Sequence, residues 1–248
     1  MTATGPPAAE TALQPDPGPG RVYAAARTVR RTDVTPAGRL RFDALARYLQ
    51  DVAEDDVSDA GLGEPYGWLL RRCAVSVRGY PGDGQVVRLR TFCSAAGPRW
   101  AERTTTVAGP GGDLIQARAL WVAVDESTGR PCPLGPEFRR VYGPATQGRS
   151  VSAKLSHPAP DGPPAGREWP LRASDFDPVG HVNNSVHWAA VEDELAGLGW
   201  LPAAAEMEYH RPILPGARAR LATGQASGQL RVWLLDGAQR LASALLTR

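Results

Sequence analysis

Asp175-Phe176-Asp177-Pro178-Val179-Gly180-His181-Val182 reads as a turn leading into a helix, and an earlier stretch has the same build: Asp33-Val34-Thr35-Pro36-Ala37-Gly38-Arg39-Leu40. The two align without a gap. Asp33 matches Asp175, Pro36 matches Pro178 and Gly38 matches Gly180, each pair 142 positions apart, and Leu40 and Val182 are a conservative pair at the same offset. Proline fixes φ and removes a donor, and glycine reaches positive φ, so the pairing marks a turn. An internal match at one fixed spacing predicts a duplicated structural unit.

The order of elements around the two turns repeats as well. Residues 21–31 read as a strand before the first turn. After it, Phe42, Leu45, Ala46, Leu49 and Val52 recur at helical spacing, predicting an amphipathic helix that ends near Gly61 or Gly63. Strands are expected over 73–78, 86–95, 100–108 and 114–124, punctuated by Tyr80-Pro81-Gly82-Asp83-Gly84 and Gly109-Pro110-Gly111-Gly112-Asp113. A short helix is expected over 133–142. The second half then reads strand (167–173), turn, helix (184–195) and four strands (204–211, 217–226, 229–235 and 240–247). One helix followed by an antiparallel sheet, twice, predicts two α+β units side by side, each sheet curling around its own helix. The expected boundaries are a disordered tail at 1–20, a first domain at 21–143, a Pro/Gly/Ser-rich linker at 144–165 and a second domain at 166–248.

Composition narrows the class. With 248 residues, 42% hydrophobic and 22% charged, the chain has the makeup of a soluble globular protein able to bury a full core. Its apolar runs fall short of the roughly 20 residues of a membrane helix. The N-terminal 20 residues lack a basic region followed by an apolar one, so no signal peptide is expected. Cys73, Cys93 and Cys132 form no CxxC pair, which argues against zinc and against a disulfide framework and fits a reducing cytoplasm. Each cysteine is read as a buried spectator in preference to a nucleophile. The net charge of +2 is near balance, and Lys154 is the sole lysine. Arginine pairs such as Arg71-Arg72 suit an anionic partner, but no aromatic residues interleave with basic ones as on a nucleic-acid surface.

The differences between the copies carry the chemistry. Thr35 is replaced by Asp177 and Arg39 by His181, so the second turn alone has a carboxylate and an imidazole at the start of its helix. The first N–H groups of a helix lack intrahelical partners and carry the positive end of its dipole. They can hold an oxygen that gains charge on a carbonyl, with Asp177 orienting water or attacking the acyl carbon. Gly180 would let an acyl group approach the backbone closely. The same residues also suit a capped turn, with Asp177 accepting backbone N–H groups, Asn183 or Asn184 capping the helix and His181 simply packed.

The run Asp175 to Asn184, ending His181-Val182-Asn183-Asn184, resembles the HVNN signature of hot-dog-fold acyl thioesterases. The chain from about residue 21 to 248 is similar to the acyl-ACP thioesterases, including the plant type, through Leu49-Gln50-Asp51-Val52-Ala53, Arg78-Gly79-Tyr80-Pro81, Leu120-Trp121-Val122 and Glu208-Tyr209-His210-Arg211. The resemblance implies a tandem double hot-dog fold, each unit an antiparallel sheet around a central helix. It implies hydrolysis of fatty acyl-ACP with no cofactor and no metal. Plant-type members carry D-x-N-x-H where this chain has Val179, and a glutamate where it has Pro212; Asp177 and His181 match. Strand alternation puts Glu206, Glu208 and His210 on one face with position 212, making Glu208 or His210 a candidate replacement.

The expected site is therefore Asp177, His181 and Glu208 for chemistry, and Gly180, Val182 and Asn183 for holding the thioester oxygen. Leu45 and Leu49 are expected against the acyl chain. The expected partner is acyl carrier protein or a CoA thioester, with a homodimer possible and neither nucleic acid nor membrane involved. An acyl-CoA hydrolase or a non-catalytic acyl-binding module of the same fold are the alternatives; a hot-dog dehydratase fits less well.

Overall fold

The computed structural model describes residues 17–63, 66–160, 166–226 and 228–248. Most of the expected N-terminal tail and residues 161–165 of the expected linker lie outside them. The first unit runs β1 (Tyr23–Thr28), α1 (Phe42–Asp59), β2 (Gly67–Val77), β3 (Val86–Ala96), β4 (Trp100–Gly109) and β5 (Gly112–Val124). After α2 (Pro136–Thr146) the second unit repeats it as β6 (Arg167–Glu168), α3 (Asn184–Leu195), β7 (Ala204–Tyr209), β8 (Arg220–Ala226), β9 (Gln229–Asp236) and β10 (Gln239–Thr247).

The two sheets are continuous. All ten strands join in the order β1-β3-β4-β5-β2-β7-β10-β9-β8-β6, a palindrome if each strand of one unit is paired with its counterpart in the other. The centre is the antiparallel pairing of β2 with β7, in register Cys73 to Met207 and Ala74 to Glu206. This is the tandem double hot-dog expected from the sequence, the two halves related by an approximate twofold axis through that seam.

Both helices lie on one face of the sheet and pack against each other, with Phe42 stacked on Trp188 at 5.4 Å and 24° between planes. Glu192, late in α3, reaches the first residue of α1, so the helices run antiparallel. Leu45, Val52, Leu89, Trp188, Met207 and Leu246 belong to one buried cluster spanning the two units. Burying those six side chains contributes on the order of 10 kcal/mol at about 2 kcal/mol each.

The turns before the helices superimpose in their hydrogen bonds. Thr35 N–H donates to Arg39 O and Asp177 N–H to His181 O; Gly38 N–H donates to Thr35 O and Gly180 N–H to Asp177 O. Gly38 has φ +84° and Gly180 φ +82°, a conformation that a Cβ would strain. Asp33 and Asp175 each accept from a backbone N–H three residues earlier, at 3.0 and 2.8 Å.

The sequence placed a helix at 133–142 and a linker from 144. The helix instead begins at Pro136, whose fixed φ suits a first turn, and continues to Thr146 before Gln147 turns left-handed. The residues beyond it do not hang free. They run across the outer face of the sheet, where Trp100 Nε1–H donates to Val151 O (2.8 Å) and Trp233 Nε1–H to Pro158 O (3.0 Å). No helix among the described residues is long and apolar enough to cross a membrane.

Candidate active site

Asp177 is held by its own turn. Its Oδ1 accepts the N–H groups of Val179 (3.0 Å) and His181 (3.3 Å), while Oδ2 has no partner among the described residues. The carboxylate is thus oriented through one oxygen and free at the other. Capping and chemistry, opposed as alternatives in the sequence, are compatible here because the group has two oxygens.

Asp177 lines a cavity of about 610 Å³ that extends into the first unit, a volume suited to a small-molecule ligand. Its walls come from α1 (Ala53, Val57), the sheet (Trp68, Trp121) and α2 (Phe138, Tyr142). Asp177 and Gln50 also line a second, polar cleft of about 450 Å³ between α1 and α3, with Arg47 and Arg172 among its walls. These two residues therefore stand where an apolar space meets a polar one.

The backbone donors are distributed differently from expectation. Val182 N–H is spent on Ile213 O (3.0 Å) and Asn183 N–H on Asp175 O (2.8 Å), so neither is free to hold a ligand oxygen. Both are ladder or turn donors that the fold needs. Asn183 acts as the helix cap, its Oδ1 accepting from Ser185 N–H at 3.0 Å. The unspent donor is one residue on: Asn184, first residue of α3, lines the cavity, and its N–H has no acceptor among the described residues.

Other expected residues fall elsewhere. Gly180 has open space around its missing Cβ and lines neither space; it is needed for its positive φ and not for close approach of an acyl group. His181 is half-buried, lines neither space, and meets Asp177 only through its backbone, its N–H donating to Asp177 Oδ1 and its carbonyl accepting Asp177 N–H. Leu45 is core, and Leu49 borders only a void of about 20 Å³ below the cavity; the α1 wall begins with Gln50 and Ala53 because the cavity lies toward the helix C-terminus.

Glu208 is on the wrong face of the sheet for Asp177. Its neighbour Tyr209 points to the helices, where its hydroxyl donates to Asn184 O at 3.3 Å, so strand alternation turns Glu208 outward. There it is fully buried under residues 147–158, the strap that follows α2 across this face, and accepts Ser156 N–H (2.6 Å) and His157 N–H (3.1 Å). His157 Nε2 lies 3.1 Å from Glu206 Oε1. His157, Glu206 and Glu208 are close enough to share a metal ion, their ligand atoms within 4.8 Å. Both Glu208 oxygens are already used by backbone N–H groups, and His210 beside them is pushed down to about 4, chiefly by burial and further by Arg240 and Arg71. The cluster reads as a latch for the strap.

Cys73 and Cys93 are both buried, Cys93 in the wall of the cavity. Burial pushes the thiols of Cys73 and Cys93 up to about 12, far from the thiolate a nucleophile requires.

The first copy of the site is closed. Glu192 of α3 accepts Phe42 N–H, the first of α1, at 2.7 Å, and takes the Arg39 guanidinium through both oxygens at 2.9 and 2.7 Å. Phe42 is the counterpart of Asn184, Arg39 of His181 and Glu192 of Gln50, all at the same offset of 142. Sequence reasoning named Asn184 only as a possible helix cap and part of the HVNN run, and Gln50 only within the run Leu49 to Ala53; it gave neither a role in the site, although carrying the 142-residue offset down the helices exposes the Gln50/Glu192 difference.

Comparison with known proteins agrees with this architecture. A Mycobacterium tuberculosis (strain H37Rv) protein, itself uncharacterized, is 29% identical over 96% of this chain and 97% of its own length. The chloroplastic palmitoyl-acyl carrier protein thioesterase of Gossypium hirsutum is 28% identical over 48% of this chain and 32% of its own. Among solved structures, the 12:0-ACP thioesterase from Umbellularia californica aligns over 91% of this chain and 96% of its own, with TM-score 0.78 and 21% identity. An acyl-ACP thioesterase from Bacteroides thetaiotaomicron aligns over 91% and 97%, with TM-score 0.77 and 19% identity. At such identities the structural likeness speaks for the fold. Residues 20–142 match the model of the acyl-ACP thioesterase N-terminal domain, and with that match the chain belongs to the acyl-ACP thioesterase family.

Proposed function

We propose that this protein is a thioesterase that hydrolyses fatty acyl-ACP to a free fatty acid and holo-ACP. The observation that carries the reading is the meeting of three things at one point: a carboxylate with one free oxygen (Asp177), an unspent helix N-terminal donor (Asn184 N–H), and a largely apolar cavity beside a polar cleft.

In this reading the acyl chain occupies the cavity of the first unit, and the amide-rich pantetheine arm lies in the cleft between α1 and α3. The thioester carbonyl oxygen accepts from Asn184 N–H, where the helix dipole favours developing negative charge. Asp177 Oδ2 takes a proton from water as that water attacks the carbonyl carbon. The tetrahedral intermediate then expels the thiolate, which is protonated from Asp177 or from solvent. A thiol has a pKa of roughly 8.5, so it leaves without a dedicated strong acid. The absence of a carboxylate at Pro212 is tolerable for that reason. His181 serves the turn through its backbone.

The test is thiol release from acyl-ACP and acyl-CoA thioesters of graded chain length. Faster turnover on the ACP series supports the proposal, and faster turnover on CoA moves it to an acyl-CoA hydrolase. Tight acyl binding without released thiol, or full activity in Asp177→Asn, sinks it.

A further inference from the structure

Resting on the thioesterase reading, we propose that Gln50 is a catalytic residue of the first unit, its side-chain amide being the second donor to the thioester oxygen held by Asn184 N–H. The argument comes from the closed copy. There the structure shows what a side chain at this position of one helix does to the start of the other: the Glu192 carboxylate reaches the Phe42 N–H at 2.7 Å. Glu192 thus supplies, from within the protein, the negatively charged oxygen that a helix N-terminus attracts. Arg39 neutralises it, and no room is left for a ligand oxygen.

The twofold relation places Gln50 toward Asn184 as Glu192 stands toward Phe42, and the two residues do line the same cavity. One atom separates the outcomes. A carboxylate only accepts, so at position 192 it consumes the helix donor. An amide also donates, so at position 50 it leaves that donor free and adds its own N–H to the same oxygen. In the absence of substrate Gln50 Nε2–H is loosely engaged with Glu54 Oε1, at 3.3 Å on an exposed helix face, so turning to a ligand sacrifices little. A neutral partner also suits an intermediate whose oxygen gains charge, which a glutamate there would oppose. The pairing explains why a protein with two related helix starts has one open site.

Two substitutions test this with wild-type turnover as the reference. Gln50→Ala is expected to lower kcat about 10²-fold with KM changed by less than about threefold, the pattern of an interaction made chiefly in the transition state. Gln50→Glu places a carboxylate where Glu192 has one, but without an arginine at position 181 to neutralise it, so it should lose activity at neutral pH and regain part of it as the new carboxyl protonates at lower pH. A merely structural role would produce neither the kcat-specific loss nor the recovery. If wild-type protein releases thiol and both variants stay within twofold of it across pH, Gln50 has no such role and the thioesterase reading stands. If wild-type protein releases none, the thioesterase reading itself falls, and the Gln50 assignment with it.

Discussion

Arg39 and Glu192, 153 residues apart in sequence, form a two-pronged ion pair across the seam between the units, and Glu192 at the same time caps the first turn of α1. The side chains are 12% and 9% exposed, so both charges depend on each other for their solvation. The pair joins the halves and closes one of the two related sites in a single contact.

Removing one partner should therefore be costly. Glu192→Ala strands a buried guanidinium and a helix N–H, which is expected to destabilise by about 3 kcal/mol. For a chain of this size that corresponds to a melting temperature roughly 6–12 °C lower. Thermal unfolding followed by circular dichroism measures it; an unchanged melting temperature would show the pair to be idle.

Asp177→Asn separates structure from chemistry. Asparagine can still accept Val179 N–H and His181 N–H through its side-chain oxygen, so the turn and the melting temperature should persist. The proposed base is gone, and kcat is expected to drop about 10²–10⁴-fold.

Glu208→Gln should do the reverse. Glu208 binds the strap on the sheet face away from Asp177, and glutamine can accept only through one oxygen. A stability loss of about 1–3 kcal/mol with turnover within twofold is expected. Faster proteolysis within the strap would report its release. A large fall in kcat would return Glu208 to the catalytic set.

Stability should also decline on mild acidification. Burial pushes His187 down to about 4, despite its contact with Asn183 O, and burial with Arg240 and Arg71 pushes His210 to about 4. The unfolded chain takes up these protons near pH 6.5 while the folded chain refuses them until about pH 4. Their contribution is complete above pH 6.5 and is lost as pH falls toward 4. His187→Gln should flatten the melting temperature over that window.

Filling the cavity should shorten the preferred acyl chain. Ala53 is half-buried on the α1 wall, and Ala53→Phe places a ring in the space beside Trp121 and Phe138. The optimum in a thiol-release series should move to shorter chains with kcat on short substrates retained.

Much of the fold was legible because it rests on local rules repeated twice. The Pro and Gly of each turn, the 3.6-residue stripe of α1 and the alternating strands each follow from short-range sterics and hydrophobic periodicity. The strap was not legible: residues 147–158 have no period to read, and their hydrogen bonds to Trp100, Glu208 and Trp233 exist only once the sheet is assembled. Asp177 was singled out because a residue type changed at a repeated motif. Val182 and Asn183 were misjudged as free donors because a donor's availability depends on the distant acceptor Ile213 and on Asp175.

The sequence by itself determined that the chain is a duplication, where each helix begins, and that only the second turn bears a carboxylate. Those are properties of residues close along the chain, where proline, glycine and side-chain spacing act directly. The tertiary structure alone decided which helix start is open, since that depends on what the other unit's helix carries there. Glu192 fills one with a charge that Arg39 secures, and Gln50 leaves the other to a ligand.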